Sequence, residues 1–161
     1  MSAPDGAPAP HGASAADRAP APDPRLGLTV VHRRYVPYSH AHYAGNLVDG
    51  AYSLACFGDV ATEICIHTDG DEGLFAGYRD VAFLAPLRAG DVVEITGTVV
   101  RVGRRSRELE LVAVVVCRGR PDRGPSAAEA LSEPIVATTA VGTVVVPGPS
   151  EHFPATQTQP R

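Results

Sequence analysis

The chain has 161 residues and a formal net charge of −4, and its fourteen Lys+Arg positions are all arginine. Without a lysine nitrogen, a pyridoxal phosphate Schiff base, a lysine-dependent aldolase and a P-loop are all excluded. A mildly acidic chain with scattered arginines is also a poor match for duplex nucleic acid, which needs a concentrated basic stripe.

In chain order, the first 24 residues include fourteen Ala or Pro, which leaves no periodic apolar face, so residues 1–25 read as a disordered tail. Leu28 to Val36 is rich in β-branched residues and closed by Pro37, and reads as a first strand. After a turn region, Asn46 to about His67 runs without proline and is apolar on nearly every side, which predicts a buried helix. Strands follow at Phe75 to Leu84, Asp91 to Val102, Arg107 to Cys117 and Ile135 to Val146. Gly103-Arg104-Arg105-Ser106 has hairpin length, so the strands it joins pair antiparallel. Gly119 to Glu133 reads as an excursion with a helical turn around Ala127 to Leu131, and residues 148–161 as a flexible C-terminal tail. The fold class is therefore α+β, a domain of residues 26–147 with an antiparallel sheet against one long helix. Its open edge and uncovered helix flank predict a dimer.

Three cysteines, Cys56, Cys65 and Cys117, have no metal-ligand or disulfide spacing, so no metal is expected. No apolar run has the length of a membrane span and the start lacks a signal-peptide layout, so a cytoplasmic protein without membrane or nucleic-acid partners is expected. No Gly-x-Ser-x-Gly elbow surrounds any serine, which argues against a covalent hydrolase.

The helix carries the candidate chemistry. Asp49, Asp59 and Glu63 fall on one stripe, with Asp59 and Glu63 one turn apart. Two carboxylates on a buried helix cannot both ionise cheaply, so a raised pKa suited to proton transfer is expected. Ion pairing to arginines of a neighbouring chain is the structural alternative. Asn46 with Asp49 fits a capping box, which makes Asp49 a capping or positioning residue. Gly45 and Asn46 would open the helix and present amides to a developing oxyanion. His40 and His42 point to one side of an extended segment without a third metal ligand. Arg101, Arg104, Arg105 and Arg107 read either as a solvated hairpin tip or as a phosphate clamp.

The stretches His42-Tyr43-Ala44-Gly45-Asn46-Leu47-Val48-Asp49-Gly50-Ala51 and Phe57-Gly58-Asp59-Val60-Ala61-Thr62-Glu63 bear a family likeness. So do Asp69 to Phe75, Val81 to Asp91, Val102 to Arg107 and Glu133 to Val136. Over residues 28–147 the chain resembles the β-aminoacyl-CoA ammonia lyases of the hotdog-fold superfamily. The resemblance implies a homodimer or higher even-numbered oligomer that acts on acyl-CoA thioesters. It also implies the reversible elimination of ammonia, as from 3-aminobutyryl-CoA to crotonyl-CoA, with no cofactor beyond the substrate's own coenzyme A. On this reading Asp59 and Glu63 serve proton transfer and ammonium binding, and Asn46 polarises the thioester. His42, Tyr43, Gly45 and Asp49 shape the substrate pocket, and Arg104, Arg105 and Arg107 contact the CoA phosphates. His40 stands where the family has an acid, a departure that bears on amine recognition. A hotdog acyl-CoA thioesterase using Asp59 to activate water, and a non-catalytic acyl-CoA-binding protein, are the competing functions. The Asp-x4-His spacing of a hotdog hydratase is absent, since Ile64 stands five after Asp59.

Overall fold

The computed structural model describes residues 21–147. Most of the expected N-terminal tail and all of the expected C-terminal one lie outside the described residues. Its elements are β1 (Thr29–Tyr35), β2 (Ala41–Tyr43), β3 (Leu47–Val48), α1 (Gly50–Asp69), β4 (Leu74–Phe83), β5 (Val92–Val102), β6 (Ser106–Gly119) and β7 (Ala128–Val145). Five strands form one antiparallel sheet in the order β1-β5-β6-β7-β4, and β2 and β3 form a separate hairpin.

The helix lies on the sheet through Cys56, Phe57, Val60, Ala61, Ile64 and Cys65, which recur at three- and four-residue spacing. The sheet answers with period two: Val93, Ile95 and Val99 of β5 and Leu109, Leu111, Ala113 and Val115 of β6 point inward. Gly97 marks the closest approach, because a Cβ there would lie 2.6 Å from Val60 Cγ1. The sheet covers one side of the helix only. Ala51, Ala55, Asp59 and Ile66 are therefore exposed in the single chain, and the helix is not buried all round as its composition suggested.

The helix starts later than the capping-box reading placed it. Asp49 is the N-cap, and its Oδ1 accepts from the Tyr52 N–H at 3.2 Å. Asn46 instead shares the left-handed region with Gly45, at φ 61° and 73°, where the two turn β2 into β3. Leu47 and Val48 stay extended because they are paired on a second side: the Val48 N–H donates to Leu87 O at 3.0 Å, and the Ala89 N–H to Asn46 O at 2.8 Å. At the other end Gly70, left-handed at φ 68°, closes the helix.

The expected helical turn around Ala127 to Leu131 is absent. Residues from Ala128 onward extend β7, pairing Ala128, Glu129 and Ala130 with Gly119, Arg118 and Cys117. The long β6 presents an edge there, and ladder pairing overrides the local helical preference of alanine. Pro134, which has no N–H to donate, sits in the irregularity between Ala130 and Ile135.

Candidate active site

A cavity of about 320 Å³ opens at the start of α1. Val48, Phe83, Leu84 and Leu87 wall it, and Asp49, Ser53 and Thr138 supply its polar side chains. Each is placed by the local fold. The cap fixes Asp49, and Ser53 follows one turn later on the same helix face. Thr138 is carried in on β7 by its register with Phe83 and Ala113. Gly50 belongs at the first helical position because the Phe83 ring rests on it, with a Cβ there meeting Phe83 Cε1 at 2.6 Å.

The electrostatics of the cavity have two poles. The N–H groups of Gly50 and Ala51, in the open first turn, meet no acceptor among the described residues. They carry the positive end of a 20-residue helix. Beside them stands the Asp49 carboxylate, whose Oδ2 lies 4.0 Å from His42 Nδ1. The floor is a buried hydroxyl pair, in which Thr138 Oγ1 donates to Ser53 Oγ at 3.0 Å.

Across the Pro86–Ala89 segment lies a second cavity of about 420 Å³, with Tyr38, Asn46, Arg88, Asp91 and Arg118 on its walls. Asp91 is fully buried. It accepts from Arg118 Nε at 2.9 Å and Nη2 at 2.8 Å, and from the Arg88 N–H at 2.8 Å. The Arg88 guanidinium is exposed and has no partner among the described residues.

The residues singled out from sequence divide between these cavities and the rest of the helix. Asp49 lines the first cavity, and Gly45 and Asn46 line the second. His42 and Tyr43, exposed and in edge-to-face contact at 4.5 Å, occupy the hairpin ahead of the helix. His40 rests its ring on Tyr52 at 4.8 Å. The amide donors expected at Gly45 and Asn46 lie instead at Gly50 and Ala51, since the chain becomes helical only there.

Asp59 and Glu63 line neither cavity. They stand roughly 15 and 20 Å further along the helix and are tied to β1 of their own chain. Arg34 Nη2 donates to Asp59 Oδ2 at 2.5 Å, and His32 Nε2 meets Glu63 Oε2 at 2.6 Å, with His67 Nε2 at 3.4 Å from Oε1. The expected raised carboxyl pKa is reversed at Glu63. Its hydrogen bond to His32 holds it below the ordinary carboxylate value, against a smaller opposing effect of burial. The ion-pairing alternative is thus realised within one chain, because β1 sets His32 and Arg34 two residues apart on the side facing the helix.

The arginine cluster is at the far end. Arg107 is buried and paired with Asp69, the last helical residue, and its Nη1 also donates to Ser106 O at 2.8 Å. It is committed to the fold and is not available to a CoA phosphate. Asp69 in turn accepts from Arg25 Nη1 at 3.4 Å, so this residue of the expected tail is tied to the domain. Arg105 Nε donates to Val146 O at 3.3 Å, Arg101 pairs with Glu108 at 3.2 Å, and Arg104 is exposed. A full helix length, about 28 Å, separates this cluster from the first cavity.

Ser53, Thr138, Phe83 and Arg88 join the residues that the sequence pointed to. The signal for Ser53 was a lone hydroxyl on the inward stripe one turn after Asp49. For Phe83 and Thr138 no signal existed before the register of β4 and β7 was known, and Arg88 is placed by the bridge of its segment to Leu47. Burial raises the Cys56 thiol, and raises the Cys65 thiol to about 11, so neither is a ready nucleophile.

Residues 46–118 match the thioesterase superfamily. The 3-aminobutyryl-CoA ammonia lyase of Acetoanaerobium sticklandii is 50% identical over 107 residues, spanning 66% of this chain and 85% of that protein. The solved β-alanyl-CoA:ammonia lyase of Clostridium propionicum superposes with a TM-score of 0.71 at 36% identity, over 75% of this chain and 86% of that one. A hexameric hotdog-fold thioesterase of Campylobacter jejuni shares the fold, with a TM-score of 0.60 at 20% identity over 71% of this chain and 79% of that one. With a helix-start cavity on a hotdog scaffold and half its aligned residues identical to an ammonia lyase, the chain belongs to the β-aminoacyl-CoA ammonia lyase family of the thioesterase superfamily.

Proposed function

We propose that this protein is a carbon–nitrogen lyase that reversibly eliminates ammonia from a β-aminoacyl-CoA of the 3-aminobutyryl-CoA type. The observation that carries this reading is the two-pole cavity at the helix start, with free amides at Gly50 and Ala51 beside the Asp49 carboxylate. The chain has no lysine to bear an imine-forming cofactor, so the thioester itself serves as the electron sink. Asp49 removes the α-proton, and the electron pair moves onto the thioester oxygen held at the helix amides. Collapse of the enolate breaks the C–N bond and expels the β-ammonium as ammonia. The ammonia takes the proton from the Asp49 carboxyl and leaves as ammonium, which restores the carboxylate.

The CoA portion runs over the second cavity, where Arg88 supplies a free cation for phosphate and Arg118 is neutralised by Asp91. Arg104 and Arg105 reach a CoA ester only from another subunit. The relative from Campylobacter jejuni is hexameric, and we propose an even-numbered homo-oligomer here too. β4 is an edge strand with Leu74 and Phe83 exposed, and the outer helix face is uncovered. No helix among the described residues is long and apolar enough to cross a membrane, in keeping with a cytoplasmic enzyme.

A second assignment keeps Asp59 and Glu63 as the proton-transfer and ammonium-binding groups. Their place on the uncovered helix face favours it, because a second copy could bring them to its own cavity. Mixing Asp49→Asn and Glu63→Gln subunits decides between the two. Restored turnover in mixed oligomers of two inactive variants supports catalysis across subunits, whereas full activity of Glu63→Gln alone assigns the chemistry to Asp49.

The reaction is tested with crotonyl-CoA and ammonium, following enoyl absorbance and free thiol separately. Loss of the enoyl signal without thiol release supports the lyase. Thiol release supports the thioesterase alternative, and CoA esters that only raise thermal stability support a binding protein.

A further inference from the structure

We infer that the floor of the first cavity is an ammonium site, in which Asp49 Oδ2, Ser53 Oγ and Thr138 Oγ1 are the three acceptors for the N–H bonds of the substrate's β-ammonium. The inference rests on the reading above that the substrate is a β-aminoacyl thioester, and it assigns the residues that select for the amine.

The cavity walls are aliphatic or aromatic, yet its floor is a hydroxyl pair at 1% and 2% exposure. Packing does not need that pair, because two apolar groups of the same shape would fill the space without burying polar atoms. Thr138 spends its proton on Ser53. Two lone pairs then remain on Thr138 and one on Ser53 for an incoming donor. Asp49 Oδ1 is occupied by the Tyr52 amide, which leaves Oδ2, 4.0 Å from His42 Nδ1, without a hydrogen bond among the described residues of a cavity that Asp49 lines. An alkylammonium has three donors and no acceptor, so it fits three oxygens that line one cavity and of which one is charged. The carboxylate supplies the counter-charge at a helix end that by itself repels a cation. The helix amides hold the carbonyl end of the same substrate, so its two polar groups are sorted between amides and oxygens. An acyl chain without the amine leaves the hydroxyl lone pairs facing a hydrocarbon, and this disfavours it.

The test uses the full-length protein and the variants S53A, T138V and T138S, in the ammonia-addition direction, with each substrate varied while the other is saturating. Removing one acceptor from a charged donor should raise the KM for ammonium about tenfold to a hundredfold in S53A and T138V. The KM for crotonyl-CoA should stay within about threefold, because neither hydroxyl meets the thioester. T138S keeps the oxygen and should restore the ammonium KM. T138V is isosteric with threonine, so it reports on the hydroxyl even if S53A folds poorly. An unchanged ammonium KM in folded T138V, or a parallel rise in both KM values, overturns the assignment. If the wild-type protein adds no ammonia, the proposed reaction itself has failed, and binding then reads the site alone. A wild-type preference for 3-aminobutyryl-CoA over butyryl-CoA in thermal shift that disappears in T138V supports the ammonium site, and equal preference in both proteins sinks it.

Discussion

The two halves of α1 carry the same kind of residue and put it to opposite uses. In the first turn Asp49 caps the helix with one oxygen and turns the other toward a cavity, beside amides that meet no acceptor among the described residues. Further along, Asp59 and Asp69 are each met by an arginine of the same chain, Arg34 and Arg107, and Glu63 by the His32 ring. A carboxylate on a helix is therefore not a site by virtue of its face or its neighbours in sequence. It becomes one where the fold brings no arginine to it, only His42 at 4.0 Å, and leaves a space beside it.

The sharpest way to break this comparison is Asp49→Asn. Asparagine caps a helix about as well as aspartate, so the fold should hold while turnover falls by at least about 10²-fold. Steady-state elimination rates, with circular dichroism as the folding control, check it. A well-folded Asp49→Asn enzyme of normal activity would remove the first turn from the chemistry.

At the opposite end Asp69→Asn should cost stability and leave turnover alone. It strands the buried Arg107 guanidinium without its carboxylate, and losing one partner of a buried pair costs about 3 kcal/mol or more. Urea unfolding should show the lower midpoint, with kcat and KM unchanged at temperatures where the variant remains folded.

The two ends also differ in what their arginines can do. Arg88→Ala should raise the KM for a CoA ester several-fold, on the order of a single phosphate contact, and the effect should shrink with added salt. Arg104→Ala should change it less, because a helix length separates that hairpin from the cavity of its own chain. A larger effect at Arg104 than at Arg88 would place the CoA tail against a neighbouring subunit's hairpin.

Much of the architecture was legible in the sequence, because hydrophobic period and turn chemistry are local. The Gly103 to Ser106 hairpin and the strands beside it needed nothing beyond alternation and a turn. The helix start was misplaced by one turn because Leu47 and Val48 are held extended by Leu87 and Ala89, forty residues away in sequence. The same distance hid the site. Asp49 was visible as the acid of a capping box opened by Asn46, but its cavity depends on Phe83 lying over Gly50 and on Thr138 arriving from β7. The arginine run looked like one cluster in sequence, whereas β6 turns Arg107 inward to Asp69 and the turn between β5 and β6 leaves Arg104 outside. Asp59 and Glu63 looked unpaired because their partners, His32 and Arg34, sit on a strand that the sequence could not place beside the helix.

Glu63 gives the smallest effect and the finest cut between the two halves of α1. Its pKa is held below the ordinary value of 4.5 by His32, so between the folded and unfolded values the unfolded chain binds more protons. Stability from this contact is therefore complete above the unfolded value and is lost as pH falls through the folded one. Glu63→Gln should flatten that acid limb in thermal melts recorded against pH. The change should be slight, because solvent screens a half-exposed pair. At neutral pH its turnover should match that of the wild type, since the group lies roughly 20 Å from the cavity of its own chain. A fall of about 10²-fold in a folded Glu63→Gln enzyme would mean that a second subunit carries this carboxylate to the substrate. The second half of the helix would then belong to the active site after all, with its ion pair to His32 reporting the unassembled chain.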